Sequence, residues 1–350
     1  MDSCIRSVWM TPFPAFRDAN TRLRPRLFAG LLAHRDDGRR RISRYQTASV
    51  IMPELPDVEL YLHALRGHVV GRVLRGVRLG SPFVLRTIEP PLEAISGKRL
   101  TEVRRIGKRI VLGAEGDLFV VIHLMIAGRL RWRSPNQKLP GRLGLAAFDF
   151  EHGTLMLTEA SKKKRASIHL CHGKAEVEEH DPGGIEPLES ELGAFRKALT
   201  SQNHTVKRAL TDPRIFSGIG NAYSDEILHR AKLSPLIRTQ RLNDEQTARL
   251  YEATREVLSE WVTRLVEQHG DTFPEKVTAF RPEMAAHGKY GEPCPECGHP
   301  IQRIVFRDRE TNYCAACQTS GKVLADRSLS RLLKGDWPRS LEELESLRRK

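Results

Sequence analysis

Hydrophobic and polar positions along the chain change their period more than once, and the changes mark out its organisation. Residues 1–51 show no sustained period. Val58, Tyr61, Leu62 and Leu65 then fall at three- and four-residue steps behind Pro56, a residue suited to a first helical turn. This predicts a helix from Asp57 to about Arg66, ending at Gly67. From Val69 to about Cys171 the apolar residues gather into short β-rich runs: 110–112, 118–122, 146–150 and 154–157. Glu151-His152-Gly153 separates the last two as a hairpin turn, and short strands with tight turns predict an antiparallel sandwich. Asp181-Pro182-Gly183-Gly184 is the strongest punctuation in the chain and reads as a domain linker. Beyond it the period is helical. Asn243 can cap a helix with Gln246, and Leu250, Ala253, Val257, Trp261 and Leu265 follow at helical spacing until Gly270. The class is therefore α+β. Residues 318–350 hold two short charged helical patterns around Pro338 and are expected to form a surface appendage.

A chain of 350 residues suits about two domains, and no apolar run reaches the roughly 18 residues of a membrane span. A soluble protein without a membrane partner is expected. The formal charge is +14. Residues 1–51 contribute ten Arg, four Asp and neither Lys nor Glu, leaving +8 for the rest. The excess suits a polyanion partner. Arg without Lys, and no patterned apolar content with which to bury a core, argue against a folded domain in residues 1–51. We read them first as translated sequence ahead of the true start, with a cleaved presequence as the alternative.

Cys294-Pro295-Glu296-Cys297, sixteen residues, and Cys314-Ala315-Ala316-Cys317 form two C-x2-C pairs, whereas Cys4 and Cys171 stand apart. Duplicated pairs at this spacing are the ligand pattern of a structural zinc ribbon holding one closed, tetrahedral Zn²⁺. Between them, 301–306 and 311–313 are predicted strands of a hairpin with Arg307-Asp308-Arg309-Glu310 at its tip, where an arginine could fork a phosphate. Gly218-Ile219-Gly220-Asn221 can turn tightly and start a helix whose free N–H groups face an anion. Arg104-Arg105-Ile106-Gly107-Lys108 reads by itself as a charged loop entering a strand.

Met52-Pro53-Glu54-Leu55-Pro56-Asp57-Val58-Glu59 has the form of a protein's first residues, yet lies inside the chain. With the three motifs above, which follow it along the chain at 104–108, 218–221 and 294–317, it resembles the Fpg/Nei (MutM-type) family of DNA glycosylases over about residues 52–317. The resemblance implies an N-terminal antiparallel β-sandwich with an N-terminal helix (52–180), a helix–two-turn–helix domain (185–285) and a Cys4 zinc ribbon (288–318). Residues 1–51 and 319–350 lie outside it. It further implies a bifunctional glycosylase/AP lyase of base-excision repair. The amine of Pro53 is the nucleophile, Glu54 protonates the opening sugar, Lys108 assists elimination, and Asn221 and Arg309 hold phosphates. Arg309 also counts among the catalytic residues, and Arg142 and Lys162 are further candidates for contact with DNA. The partner would be double-stranded DNA with damaged bases or abasic sites, and single-stranded DNA as a further form. The protein would be a monomer in the bacterial cytoplasm, associated with the nucleoid.

Three departures bear on lesion choice. His123-Leu124-Met125-Ile126-Ala127-Gly128 places Ile126 where 8-oxoguanine-type members carry a methionine that helps fill the flipped base's hole. Glu159-Ala160-Ser161-Lys162-Lys163-Lys164 replaces their D-P-R-R-F-G, and the stretch 280–287 is short where they carry a loop over the oxidised purine. Two rival readings remain. With Pro53 internal, its nitrogen is an amide and the chain would be a non-catalytic DNA-binding paralogue. A zinc-ribbon protein binding RNA or protein would make Glu54, Lys108 and Asn221 coincidences.

Overall fold

The computed structural model describes residues 52–275, 277–278, 281–306, 309–325 and 338–349. The extension 1–51 lies outside the described residues, as do Phe280, Arg307 and Asp308, and the side chain of Arg309 is likewise not described.

Helix α1, Leu55–Val69, begins where Pro56 and the first-turn acid Asp57 favour a helix N-terminus. It runs past Gly67, the expected end, because Val69 is wholly buried and anchors a further turn. The expected one-sided stripe is also too narrow. Leu55, Val58, Leu60, Tyr61, Leu62, Leu65 and Val69 all lie in the core, since the helix is sandwiched between the two halves of the protein. It is the element that both halves share.

Two four-stranded sheets follow, antiparallel throughout. The strands are β1 (Gly76–Leu79), β2 (Leu100–Ile106), β3 (Arg109–Ala114), β4 (Leu118–His123), β5 (Gly128–Arg133), β6 (Gly144–Asp149), β7 (Thr154–Glu159) and β8 (Ser167–His172). Their orders are β2-β3-β4-β8 and β1-β6-β7-β5. Strands β3, β4, β6 and β7 coincide with the apolar runs. The other four interleave charged or polar residues with apolar ones and present no apolar run; in β5, Leu130 and Trp132 join the core while Arg129, Arg131 and Arg133 alternate with them. Arg104 to Lys108 is not a loop: Arg104–Ile106 complete β2, and Gly107, at φ +58°, and Lys108 turn the chain into β3.

Register decides where the connecting loops emerge. Arg109 pairs with His123, His123 with Ser167, Gly128 with Glu159 and Gly144 with Thr158. The 107–108 turn, the 124–127 loop and the 160–166 loop therefore leave the sandwich at one end, and the 140–143 turn joins them there.

A short helix α2 (Gly173–Glu178) precedes the linker, and α3 (Leu192–Thr200), α4 (Val206–Thr211), α5 (Asn221–Arg230) and α6 (Asp244–His269) build the helical half. The cap of α6 is as expected: Asn243 Oδ1 accepts the Gln246 N–H at 2.8 Å, and Gln246 returns the bond at 3.1 Å. The C-terminal module pairs β9 (Ile301–Phe306) with β10 (Arg309–Cys314), followed by α7 (Ala315–Thr319). The tail is not merely an appendage. In α8, Leu341–Arg349, Leu341 and Leu344 are buried against Ile304, Tyr313, Ala315 and Val323. Three-residue spacing puts these two leucines on one helical face.

Because α1 is packed from both sides, truncating it should be costly. Leu65→Ala is expected to destabilise the protein by about 3 kcal/mol in reversible denaturant unfolding. A loss below about 1 kcal/mol would contradict a central role for the helix.

Candidate active site, metal site and nucleic-acid face

The carboxylate of Glu54, 1% exposed, sits on the start of α5. It accepts the backbone N–H groups of Gly220 at 2.8 Å, Ala222 at 2.9 Å and Tyr223 at 3.1 Å. These donors would otherwise lack partners at a helix N-terminus. Alongside, Leu55 N–H donates to Gly218 O at 2.9 Å. Both glycines are demanded by this approach. Gly218 has φ +77°, and a Cβ on it would lie 2.7 Å from Leu55 Cβ. A Cβ on Gly220 would meet Lys108 Nζ at 2.4 Å and Glu54 Oε1 at 2.5 Å. Glu54, Lys108 and the Gly-Ile-Gly-Asn turn, which the sequence holds far apart, thus converge beside the buried Pro53.

Asn221 Nδ2 donates to the carbonyl of Glu310 at 2.8 Å, so the helix start and the finger hairpin also meet. The hairpin differs from expectation at its tip. Arg309 and Glu310 belong to β10, with Arg309 paired to Phe306. Arg309 is thereby a strand residue one position from the Asn221 contact.

Arg142 and Lys162 do not join this centre. Both are exposed on the loops at the same end of the sandwich, Arg142 before β6 and Lys162 after β7. Glu159 closes the lysine loop by accepting the N–H groups of Arg165 at 2.9 Å and Ala166 at 3.1 Å. On the neighbouring loop Met125 has φ +53° and Ile126 is 38% exposed. A Cβ on Gly128 would lie 2.2 Å from Leu124 O, which explains the glycine closing that loop. His123, opposite Arg109, is pushed down to about 4 by burial and then by the cations Arg109 and Lys108, and is neutral near pH 7.

Several participants gave no readable signal. Lys207 Nζ, buried, binds Asp225 at 2.6 Å; Asp225 also meets His287 Nδ1 at 2.8 Å. Glu226 accepts three successive N–H groups, of Ala285, Ala286 and His287. Arg281 reaches Asp57 in α1. The Asp225-Glu226 pair lies in the helix that Asn221 starts, but its partners come from α4 and from the stretch 281–287, which carries no pattern.

The four thiols of Cys294, Cys297, Cys314 and Cys317 lie within 4.8 Å of one another. Cys294 and Cys317 are 3.9 Å apart, and Cys297 and Cys314 3.4 Å. A tetrahedral metal with bonds of about 2.3 Å needs sulfurs about 3.8 Å apart. The set therefore fits a structural metal with all four positions taken by thiolates. His229 Nε2, buried, lies 3.2 Å from Cys294 Sγ, tying the far end of α5 to the same site. Cys171 lies in the sandwich, its thiol pushed up to about 11, chiefly by burial.

A β-sandwich, a helix–two-turn–helix domain and a four-thiol ribbon, joined at a glutamate beside a proline, define a DNA-glycosylase architecture. Family models match along the chain in this order: the formamidopyrimidine-DNA glycosylase N-terminal domain over residues 52–182, its H2TH domain over 184–270, and the zinc finger found in FPG and IleRS over 291–319. The formamidopyrimidine-DNA glycosylase of Heliobacterium modesticaldum is 32% identical over 281 residues, covering 76% of this chain and 100% of the relative. That of Thermus thermophilus is 33% identical over 281 residues, covering 77% and 100%. The chain belongs to the formamidopyrimidine-DNA glycosylase family. Among solved structures, Lactococcus lactis Fpg with abasic-site DNA matches with a TM-score of 0.68 at 24% identity, over 76% of this chain and 99% of that one. MutM with carbocyclic 8-oxo-G DNA matches with a TM-score of 0.67 at 24% identity, over 76% and 100%. Among the described residues no helix is long and apolar enough to cross a membrane.

Removing one thiol should open the metal site while sparing the sandwich. Cys314→Ser is expected to lose stoichiometric metal by elemental analysis and to leave the β-sheet circular dichroism in place. Full metal retention in the pure variant would refute a four-thiol site.

Proposed function

We propose that this protein is a bifunctional DNA glycosylase/AP lyase that acts through a Schiff base on Pro53. The observation that carries this reading is the meeting of Glu54 and Lys108 at Gly220, directly beside Pro53. The family match begins at Met52, and the relatives cited are named formamidopyrimidine-DNA glycosylases. In this reading the mature chain starts at Pro53, whose nitrogen is then a secondary amine with a neutral population near pH 7. The dipole of α1, which starts two residues on, disfavours its protonation.

The target base must leave the duplex stack, at a cost of a few kcal/mol. Lys108, Asn221 and Arg309 hold the phosphates around the extruded nucleotide, and Arg142 and Lys162 extend the cationic surface. The Pro53 nitrogen bonds to C1′ as the base departs with the electron pair of the glycosidic bond. Glu54 protonates the sugar oxygen as the ring opens. The resulting iminium acidifies the C2′ proton; its removal expels the 3′ phosphate, and a second elimination expels the 5′ phosphate. Zinc, one ion per chain, would be held by Cys294, Cys297, Cys314 and Cys317 and would stabilise the finger without entering the chemistry. The site of action would be the DNA of a bacterial nucleoid.

The alternative, a DNA-binding paralogue without lyase activity, follows if Pro53 stays internal, and one experiment separates the two. Protein beginning at Met52 is expected to be trapped on abasic DNA by borohydride, and chain retaining residues 1–51 is not. Equal trapping of both would remove Pro53 as the nucleophile.

The loops facing the DNA end of the sandwich support a lesion range away from 8-oxoguanine opposite cytosine. Flipping a stacked base leaves a hole, and Ile126 with Lys162, Lys163 and Lys164 provides charge where stacking surface is needed. Abasic sites, ring-opened purines, oxidised pyrimidines and unpaired strands need less filling. In single-turnover assays of the Met52-start protein these substrates are expected to be cleaved faster; fastest excision of 8-oxoguanine opposite cytosine would overturn the expectation.

A further inference from the structure

Arg281 lies between α6 and the finger, in a stretch that matches no motif, and it points into the centre of the molecule. Its Nη2 donates to Asp57 Oδ1 at 2.8 Å across 224 positions of sequence. The Asp57 side chain is wholly buried and that of Arg281 is 10% exposed. The other oxygen of Asp57 accepts the Glu54 N–H at 3.0 Å. One carboxylate therefore joins Arg281 to the peptide that follows Pro53. Successive backbone nitrogens are at most about 4 Å apart, so the Pro53 nitrogen lies within about 7 Å of this carboxylate.

We propose that Arg281 is a positioning residue for the nucleophile: by binding Asp57 it orients the Glu54 peptide and offsets the charge of a carboxylate within about 7 Å of the Pro53 amine. The inference rests on the reading of Pro53 as nucleophile. A nearby carboxylate favours the protonated form of an amine, and a protonated amine cannot attack C1′. A guanidinium bonded to that carboxylate offsets its field and also fixes its orientation, which a flexible ammonium would do less well. The other groups facing this region are Glu54 just before α1, Tyr61 on α1, Lys108 on the β2–β3 turn, Arg129 and Arg131 on β5 and Tyr223 on α5. Burial, and then Asp57, hold the Tyr223 hydroxyl well above its usual range, so it adds no charge near neutral pH. Arg281 makes a direct hydrogen bond to the Asp57 side chain from a distant segment of the chain.

The test uses Met52-start protein with zinc bound and measures borohydride trapping on an abasic-site duplex at saturating protein, as a function of pH. Binding is measured separately by anisotropy on a duplex with a tetrahydrofuran abasic analogue. Arg281→Gln is expected to move the midpoint of the rate profile upward by about one pH unit, cutting the trapping rate below the midpoint about tenfold. Kd for the analogue should stay within about twofold, and Arg281→Lys should recover part of the rate. In an Asp57→Asn background, Arg281→Gln should shift the midpoint by less than it does with Asp57 present, because only the through-space field of the guanidinium is then left to lose. If Arg281→Gln does not fold, Arg281→Lys, which keeps the charge and gives up the planar fork, decides the matter by a smaller fall in trapping rate at unchanged Kd. A wild-type profile for Arg281→Gln, a weakened Kd with an unchanged saturating rate, or an undiminished shift in the Asp57→Asn background would each overturn the proposal. Failure of the wild-type protein to trap would instead remove the parent reading of Pro53.

Discussion

The buried carboxylate of Glu54 is bonded to three N–H groups at the start of α5, so a charge that would be costly to bury alone is matched to donors that would be costly to leave unpaired. The contact joins residue 54 to residues 220–223, and with it the sandwich to the helical half. Neither glycine of the turn admits a side chain, because a Cβ at Gly218 would collide with Leu55 and one at Gly220 with Lys108 and Glu54. The residues proposed for chemistry are thus also those that hold the two halves together, and loss of either glycine would disturb both.

Helix α5 distributes this constraint through the molecule. Its start receives Glu54, and Asn221 beside it binds the finger hairpin through Glu310. Its middle carries Asp225, paired with Lys207 and His287, and Glu226, which brackets three peptides of the segment leading to the finger. Its end places His229 against Cys294. Buried ion pairs of this kind are poor sources of net stability, but breaking one strands a charge at about 3–5 kcal/mol. Here they tie the segment leading to the finger to the same helix that receives Glu54. The tail adds to this from outside: Leu341 and Leu344 complete a small core around Tyr313, directly before Cys314 of the four-thiol cluster.

Much of the fold was legible in the sequence because local physics specifies it. The α6 cap, its apolar stripe and its stop at Gly270 are all encoded within one contiguous stretch, as are the two C-x2-C knuckles. Strands β3, β4, β6 and β7 stand out as apolar runs, whereas β2, β5 and β8 do not, because each has one charged or polar face that masks its alternation. The family motifs made Pro53, Glu54, Lys108 and Asn221 nameable without a structure, since each sits in a recognisable string of residues.

Which distant side chains meet is a matter of tertiary packing alone. Nothing local to Arg281 points to Asp57, nor does anything near Lys207 or His287 point to Asp225, because a buried ion pair is defined by the packing around it and leaves no periodic trace. The same holds for the 107–108, 124–127 and 160–166 loops, which share one end of the sandwich only because strand register carries them there. It holds for Arg309, whose place in a strand and not a tip follows from where β9 and β10 stop pairing. Local sequence thus specified the elements and the chemical vocabulary of the site; the convergence at Gly220 required the chain to close, since sterics between backbone and side chain act only once those segments are in contact.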